Sequence, residues 1–142
     1  MKVFYNEAYT APAYAFETTR KSGDIATAID DGSVSGCELV DPVDFVGLAG
    51  ELIETTHDPA YVEALRTGEP SDLAASQGFN WDEGIWEMAV NSTAGVLAAV
   101  DEALATGGLS GSLSSGLHHA RHAGGAGYCT VNGLAMAATH AT

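Results

Sequence analysis

Basic residues are scarce in this sequence: 5 Lys and Arg stand against 19 Asp and Glu in 142 residues, a net charge of −14. A surface so acidic repels nucleic acid and anionic membranes through its summed field, so neither is expected as a partner. The same field favours a cationic substrate, such as a lysine-rich tail or a polyamine. It also suits a plain solvated surface in salty surroundings. Cysteine is scarcer still. Cys37 and Cys129 make neither a disulfide framework nor a C-x-x-C pair, which argues against a zinc knuckle or a redox motif and leaves a reducing cytoplasm as the expected compartment. The opening MKVFYNEAYT lacks the long apolar core of a signal peptide, and the longest apolar runs fall far short of a membrane span. Internal repeats and low-complexity tracts are absent.

What is present is enough for a folded core. A hydrophobic content of 46% excludes global disorder, and 142 residues fit one domain. KVFY (2–5) reads as a buried first strand, and 12–30 as a helix stopped by Asp30-Asp31-Gly32. CELVDP (37–42) reads as a second strand ended by Pro42, and 43–55 as a helix with Leu48, Leu52 and Ile53 on one face. In HDPAYVEALRTGEP, Asp58 is a good N-cap and Pro59 sits where a first turn tolerates proline. Tyr61, Val62 and Leu65 form its apolar face, and Gly68 and Pro70 end it. SDLAASQGFNWDEG (71–84) reads as a loop. The longest helix is expected over 83–105, with Ile85, Met88, Ala89, Val96, Ala99, Val100 and Ala103 at helical spacing and Gly95 as a weak point inside it. LSGSLSSG (109–116) reads as a strand, 117–128 as a glycine-rich loop, and VNGLAMAATHA as a helix cut off at Thr142. This order predicts an α/β protein with a parallel sheet. In such sheets, sites form in loops at the carboxyl ends of strands, which is where the glycine-rich loop falls.

That loop holds His118 and His119 side by side. Imidazole titrates near neutrality, so a neighbouring pair can divide the work of general base and general acid. Gly116, Gly124, Gly125 and Gly127 let the backbone approach a ligand or take positive φ. Tyr128 offers a flat wall, and the Gly127 carbonyl can accept a hydrogen bond from a substrate amide. Two other readings stay open at this point. The loop can be a polar surface segment, or His118 and His122 can be metal ligands four residues apart, although the glycines argue against the helix this needs.

SGLHHARHAGGAGYCTVNG resembles the active-site segment of the zinc-dependent histone deacetylase and acetylpolyamine amidohydrolase superfamily, which has the arginase-deacetylase fold. Gly116, His118, His119, Ala120, Gly127, Tyr128, Cys129 and Asn132 fall at that family's spacings. HDPAYVEAL resembles its His-Asp-x-x-Tyr-hydrophobic stretch, DEGIWEMAVNSTAGVLAAVDEAL its helix after the substrate loop, and MKVFYNEAY its first strand. The resemblance implies a partial parallel sheet of about three strands flanked by helices. It implies His119 as the general base towards metal-bound water and His118 as its electrostatic neighbour. Gly127 would accept the substrate amide, and Tyr128 would line the channel for an acetyl-lysine or acetyl-amine stem. Cys129 would lie near the metal floor, where it reads equally well as a small buried hydrophobe.

The family's zinc ligands, an Asp-x-His pair and a further Asp, lie later in a domain more than twice as long, as do the charged partners of the histidines and a transition-state Tyr. No Asp follows Asp101 here. Residues 1–142 are therefore expected to be an incomplete N-terminal part of a deacetylase-like domain, inactive alone, with no family-type zinc bound. The position aligned with the family's substrate-gripping Asp holds Gly78, with Asp72 and Asp82 nearby; helix capping is the simpler role for Asp82. A bare sheet edge and helix face would drive homo-oligomerisation. The alternatives are a non-catalytic oligomeric binding module that keeps the fold's first strands, and a metal-binding protein using His118, His119 and His122.

Overall fold

Three short strands form one parallel sheet. β1 (Lys2–Phe4) is central, pairing with β2 (Glu38–Val40) on one side and β3 (Ser110–Ser112) on the other; Val3 is in register with both Leu39 and Gly111. The computed structural model describes residues 1–12, 17–114 and 117–142. The α/β class and the parallel sheet expected from the sequence are what the chain adopts. Around the sheet lie α1 (Glu17–Asp30), α2 (Val46–Thr56), α3 (Pro59–Thr67), α4 (Ser71–Ala74), α5 (Gly84–Thr106) and α6 (Gly133–His140), with 3₁₀ turns at Glu7–Thr10 and Val43–Phe45. None of the described helices is long and apolar enough to cross a membrane.

Local signals place most boundaries. Asp58 accepts a hydrogen bond from Ala60 N at 2.8 Å, Pro59 opens α3, and Gly68 closes it at φ 81°. The expected helix over 12–30 is seen as α1, its residues 13–16 lying outside the described ones. Several boundaries differ from expectation. β1 ends at Phe4 rather than Tyr5, and the helix expected over 43–55 begins as the Val43–Phe45 3₁₀ turn and becomes α2 only at Val46. The expected strand 37–42 shortens to Glu38–Val40, because the chain turns into the 3₁₀ segment beyond Pro42. The 71–84 loop contains α4, a single turn too short to register as a periodicity. The strand expected over 109–116 is confined to Ser110–Ser112, with Ser115 and Gly116 outside the described residues. The last helix starts at Gly133 rather than Val131, because Asn132 keeps a non-helical backbone and its Oδ1 accepts from Ala135 N at 3.0 Å; it ends at His140.

The core forms where α5 crosses the sheet and meets α2, α3 and α6. Ile53, Tyr61, Leu65, Ile85, Ala89, Leu97, Val131 and Met136 are fully buried there. Each large aliphatic side chain contributes roughly 1.5–3 kcal/mol by leaving water. On α2, Ile53 and Ala49 face this core, while Leu48 and Leu52 are only half-buried against it. The apolar face expected on α5 divides in two. Ile85, Met88 and Ala89 are buried, joined by Val90, Ala94, Leu97 and Ala98. Val96, Ala99, Val100 and Ala103 instead line an open groove beside β3. Among the described residues β3 is an edge strand, paired with β1 alone, and the groove lies beside it; Val96 and Val100 still pack partly against the core.

Gly95 is a packing position. A Cβ there would overlap Tyr9 Oη and Ser112 Oγ, which bond to each other at 3.0 Å and tie the Glu7–Thr10 turn to β3. Glycine normally weakens a helix interior by about 1 kcal/mol relative to alanine, but here the overlap dominates. Gly95→Ala is expected to destabilise the chain by about 1–3 kcal/mol, read as a lowered midpoint in urea with an unchanged slope; a stabilised variant would refute the packing account.

Candidate functional site

The loop that follows β3 leaves the sheet at the carboxyl end of the strands. Leu117 and Ala120 are buried and anchor it, while His118 and His119 between them are exposed. The two imidazoles lie with ring centroids 4.1 Å apart and planes inclined at 43°. Two small antiparallel bridges shape the rest of the loop: Arg121 with Gly124, and Ala126 with Cys129. The second encloses Gly127 and Tyr128, at φ 54° and 63°. Positive φ at both central residues is the sign pattern of a type I′ turn.

Positive φ is unusual for a tyrosine, and such outliers persist only where surrounding contacts over-determine them. Here Tyr128 N donates to Gln77 O at 2.8 Å. Its ring stands beside Gly78, where a Cβ would lie 3.4 Å from Tyr128 Cε1. Gly127 is required twice over, by its φ and by His119: a Cβ would come within 2.9 Å of His119 Cγ and Cδ2. The His119 ring therefore rests on the glycine. Tyr128 remains 51% exposed. Cys129 is buried, with Sγ 3.6 Å from the Gly127 carbonyl.

Beneath the loop lies a buried polar support. Tyr61 donates its hydroxyl to Thr130 O at 2.6 Å, and burial pushes that phenol up to about 12. Gly125 N donates to Ser76 Oγ at 2.9 Å. His57 is 1% exposed, with Nδ1 2.9 Å from Arg121 O and 3.2 Å from His122 O, and Asn132 N donates to its Nε2 at 3.2 Å. Asn132 Nδ2 donates in turn to Ala120 O at 3.0 Å and His118 O at 3.3 Å. Sequence reasoning missed the work of His57, Ser76 and Tyr61. Asn132 had a usable signal, as a favoured N-cap residue ahead of an apolar run.

The structure thus brings His118, His119, Gly127, Tyr128 and Cys129 to one end of the sheet. Gly116 lies outside the described residues. His122 does not join the pair: its Nδ1 lies 2.8 Å from Thr56 O, no helix carries it with His118, and among the described residues no three His, Cys, Asp or Glu side chains are close enough to hold a metal ion. Asp82 accepts from Gly84 N at 2.8 Å at the start of α5, a capping contact, and Asp72 lies in the first turn of α4. A groove of about 560 Å³ opens beside His118, walled by Val96 and Val100 of α5, Ser110 and Ser112 of β3, Leu117 and Leu134.

The model of the histone deacetylase domain matches residues 17–142 of this chain. An uncharacterized protein of Picosynechococcus sp. is 31% identical over 86 residues, which cover 60% of this chain and 28% of the relative's length. The chain therefore corresponds to well under half of that curated relative.

The contact between Gly127 and His119 can be tested directly. Gly127→Ala is expected to destabilise the chain by at least about 1 kcal/mol, since alanine is strained at positive φ. It should also displace the His119 imidazole signals in ¹H–¹³C spectra while leaving those of His140 in place. Unmoved His119 signals would show that the ring does not rest on this glycine.

Proposed function

Because the chain belongs to the histone deacetylase domain family, we propose that it is the N-terminal part of a zinc-dependent amidohydrolase that cleaves acetyl-lysine or acetylpolyamine amides, and that it is catalytically incomplete by itself. The observation that carries this reading is the pair of exposed imidazoles 4.1 Å apart at the carboxyl end of a parallel strand, beside the Gly127–Tyr128 turn.

His119 acts as general base, taking a proton from the water that attacks the acetyl carbonyl. As the carbon–oxygen bond forms, His118 lies close enough to stabilise the charge that develops. Cleavage of the carbon–nitrogen bond returns the proton to the leaving amine and releases acetate. The Gly127 carbonyl accepts the amide N–H of the substrate, and the face of Tyr128 lies along the alkyl stem. Cys129 lies beneath the turn as part of its apolar floor. A net charge of −14 attracts a cationic amine substrate through the summed field.

The described residues do not by themselves fit a zinc site, because neither His118 nor His119 belongs to a converging group of three ligating side chains. The ligands would come from polypeptide beyond those residues. Incompleteness also accounts for the open β3 edge. Residues 103–117 carry no ionisable side chain, while Leu104, Leu109 and Leu134 are exposed. Copies of a chain at −14 repel least across this neutral face, so we propose that they associate there.

Two measurements test these readings. Hydrolysis of an acetyl-lysine reporter with added zinc is expected to be absent for the chain alone and to appear when a polypeptide supplying the rest of the domain is added. His119→Ala should then lower the rate by about 10²–10⁴-fold. Turnover by the chain alone would refute incompleteness, and turnover unaffected by His119→Ala would refute the assigned base. In sedimentation equilibrium, Leu109→Lys should shift the oligomer towards monomer; an unchanged mass distribution would refute association through β3.

A further inference from the structure

We infer that His57 is a positioning residue for the His118–His119 pair, acting with Asn132 through the backbone of the loop that carries them. The inference rests on the reading of that pair given above. His57 sits where α2 gives way to α3, 64 residues before Arg121, and at 1% exposure it has no access to substrate.

Its partners assign its protonation. The carbonyls of Arg121 and His122 can only accept, so Nδ1 carries the hydrogen. The Asn132 amide can only donate, so Nε2 presents a lone pair. The ring is therefore neutral and in one tautomer. Asn132 meanwhile holds the carbonyls of His118 and Ala120 through Nδ2, and caps α6 through Oδ1. Two residues, joined through the Asn132 backbone amide and the His57 ring, thus fix the carbonyls of His118, Ala120, Arg121 and His122. The loop chain adds a direct tie, from Asp58 N to His122 O at 2.9 Å.

This clamp matters because the two exposed rings have little else to orient them. Among the described residues, the two rings contact each other and His119 rests on Gly127. Where their imidazoles point is therefore set mainly by the backbone beneath them.

The clamp is also sensitive to acid. Around His57 stand His122 in the loop, Tyr61 of α3 with its ring edge-on at 5.7 Å, and Asp58, whose carboxylate is engaged in capping α3. Burial, and secondarily His122, hold His57 below the ordinary imidazole value of 6.5, against the pull of the two carbonyls. Because the folded value is depressed, the unfolded chain binds a proton first as pH falls. Stability is full above about pH 6.5 and is lost as pH falls below it. A proton on Nε2 would face the Asn132 N–H donor to donor, and would release Asn132 and the loop together.

The test is a pH titration of the histidine ring signals in ¹H–¹³C spectra of the full chain, beside His57→Asn, which keeps a donor near Nδ1 and removes the Nε2 acceptor. In the unsubstituted chain, the His118 and His119 signals are expected to show a step below pH 6.5 that shares the midpoint at which His57 itself titrates. In His57→Asn that shared step should vanish. Signals of His118 and His119 that show no step shared with His57 would overturn the inference, and the unsubstituted chain alone decides this if the variant fails to fold. A shared step with no loss of reconstituted hydrolysis in His119→Ala would instead refute the catalytic reading and leave the clamp standing.

Discussion

Parallel pairing on both sides of β1 is the constraint from which the rest of the molecule follows. Parallel neighbours cannot be joined by a hairpin, so the chain must leave each strand at one end and return by a helical crossover. The crossover from β1 to β2 uses α1, and the long passage from β2 to β3 uses α2, α3, α4 and α5. All three strands therefore end at the same edge of the sheet, and the loop that follows β3 opens there. The strands are only three residues each, so the sheet depends on the helices packed against it. α5 is the main one, and its glycine at position 95 admits the Tyr9–Ser112 contact that ties the first loop to the last strand.

The histidine loop shows how a flexible composition becomes a defined shape. Glycines at 124, 125 and 127 supply conformations that other residues resist, but they do not choose among them. The choice is made by partners far away in the chain: Ser76 and Gln77 before α5, Tyr61 on α3, and His57 at the head of α3. Each contributes between one and three hydrogen bonds, and each such bond is worth only about 1 kcal/mol net. Their combined effect lies in geometry, since they leave two imidazoles exposed, adjacent and backed by buried Leu117 and Ala120.

Much of this was legible in advance, for a local reason. The limits of α3 follow from Asp58, Pro59 and Gly68, because capping involves backbone groups within a turn of the residue concerned. The His118–His119 and Gly127–Tyr128–Cys129 spacing pointed to one site, and the structure brings those residues to one end of the sheet. The apolar face of α5 was legible as a face but not as core. Periodicity reports which side chains share a side of a helix, and nothing in it says whether another element covers them. Val96, Val100 and Ala103 border an open groove beside β3, which among the described residues pairs on one side only.

The sequence by itself determined the alternation of strands and helices, the parallel sheet, the acidic charge and the family to which the chain belongs. These properties reside in composition, short-range periodicity and motif spacing. Tertiary structure alone decided that His57 is a buried neutral imidazole, that Asn132 braces the loop as well as capping α6, and that His122 turns away to Thr56. Those contacts join residues separated by 12 to 75 positions. Which donor meets which acceptor over such separations depends on how the intervening helices pack, and no local pattern records it.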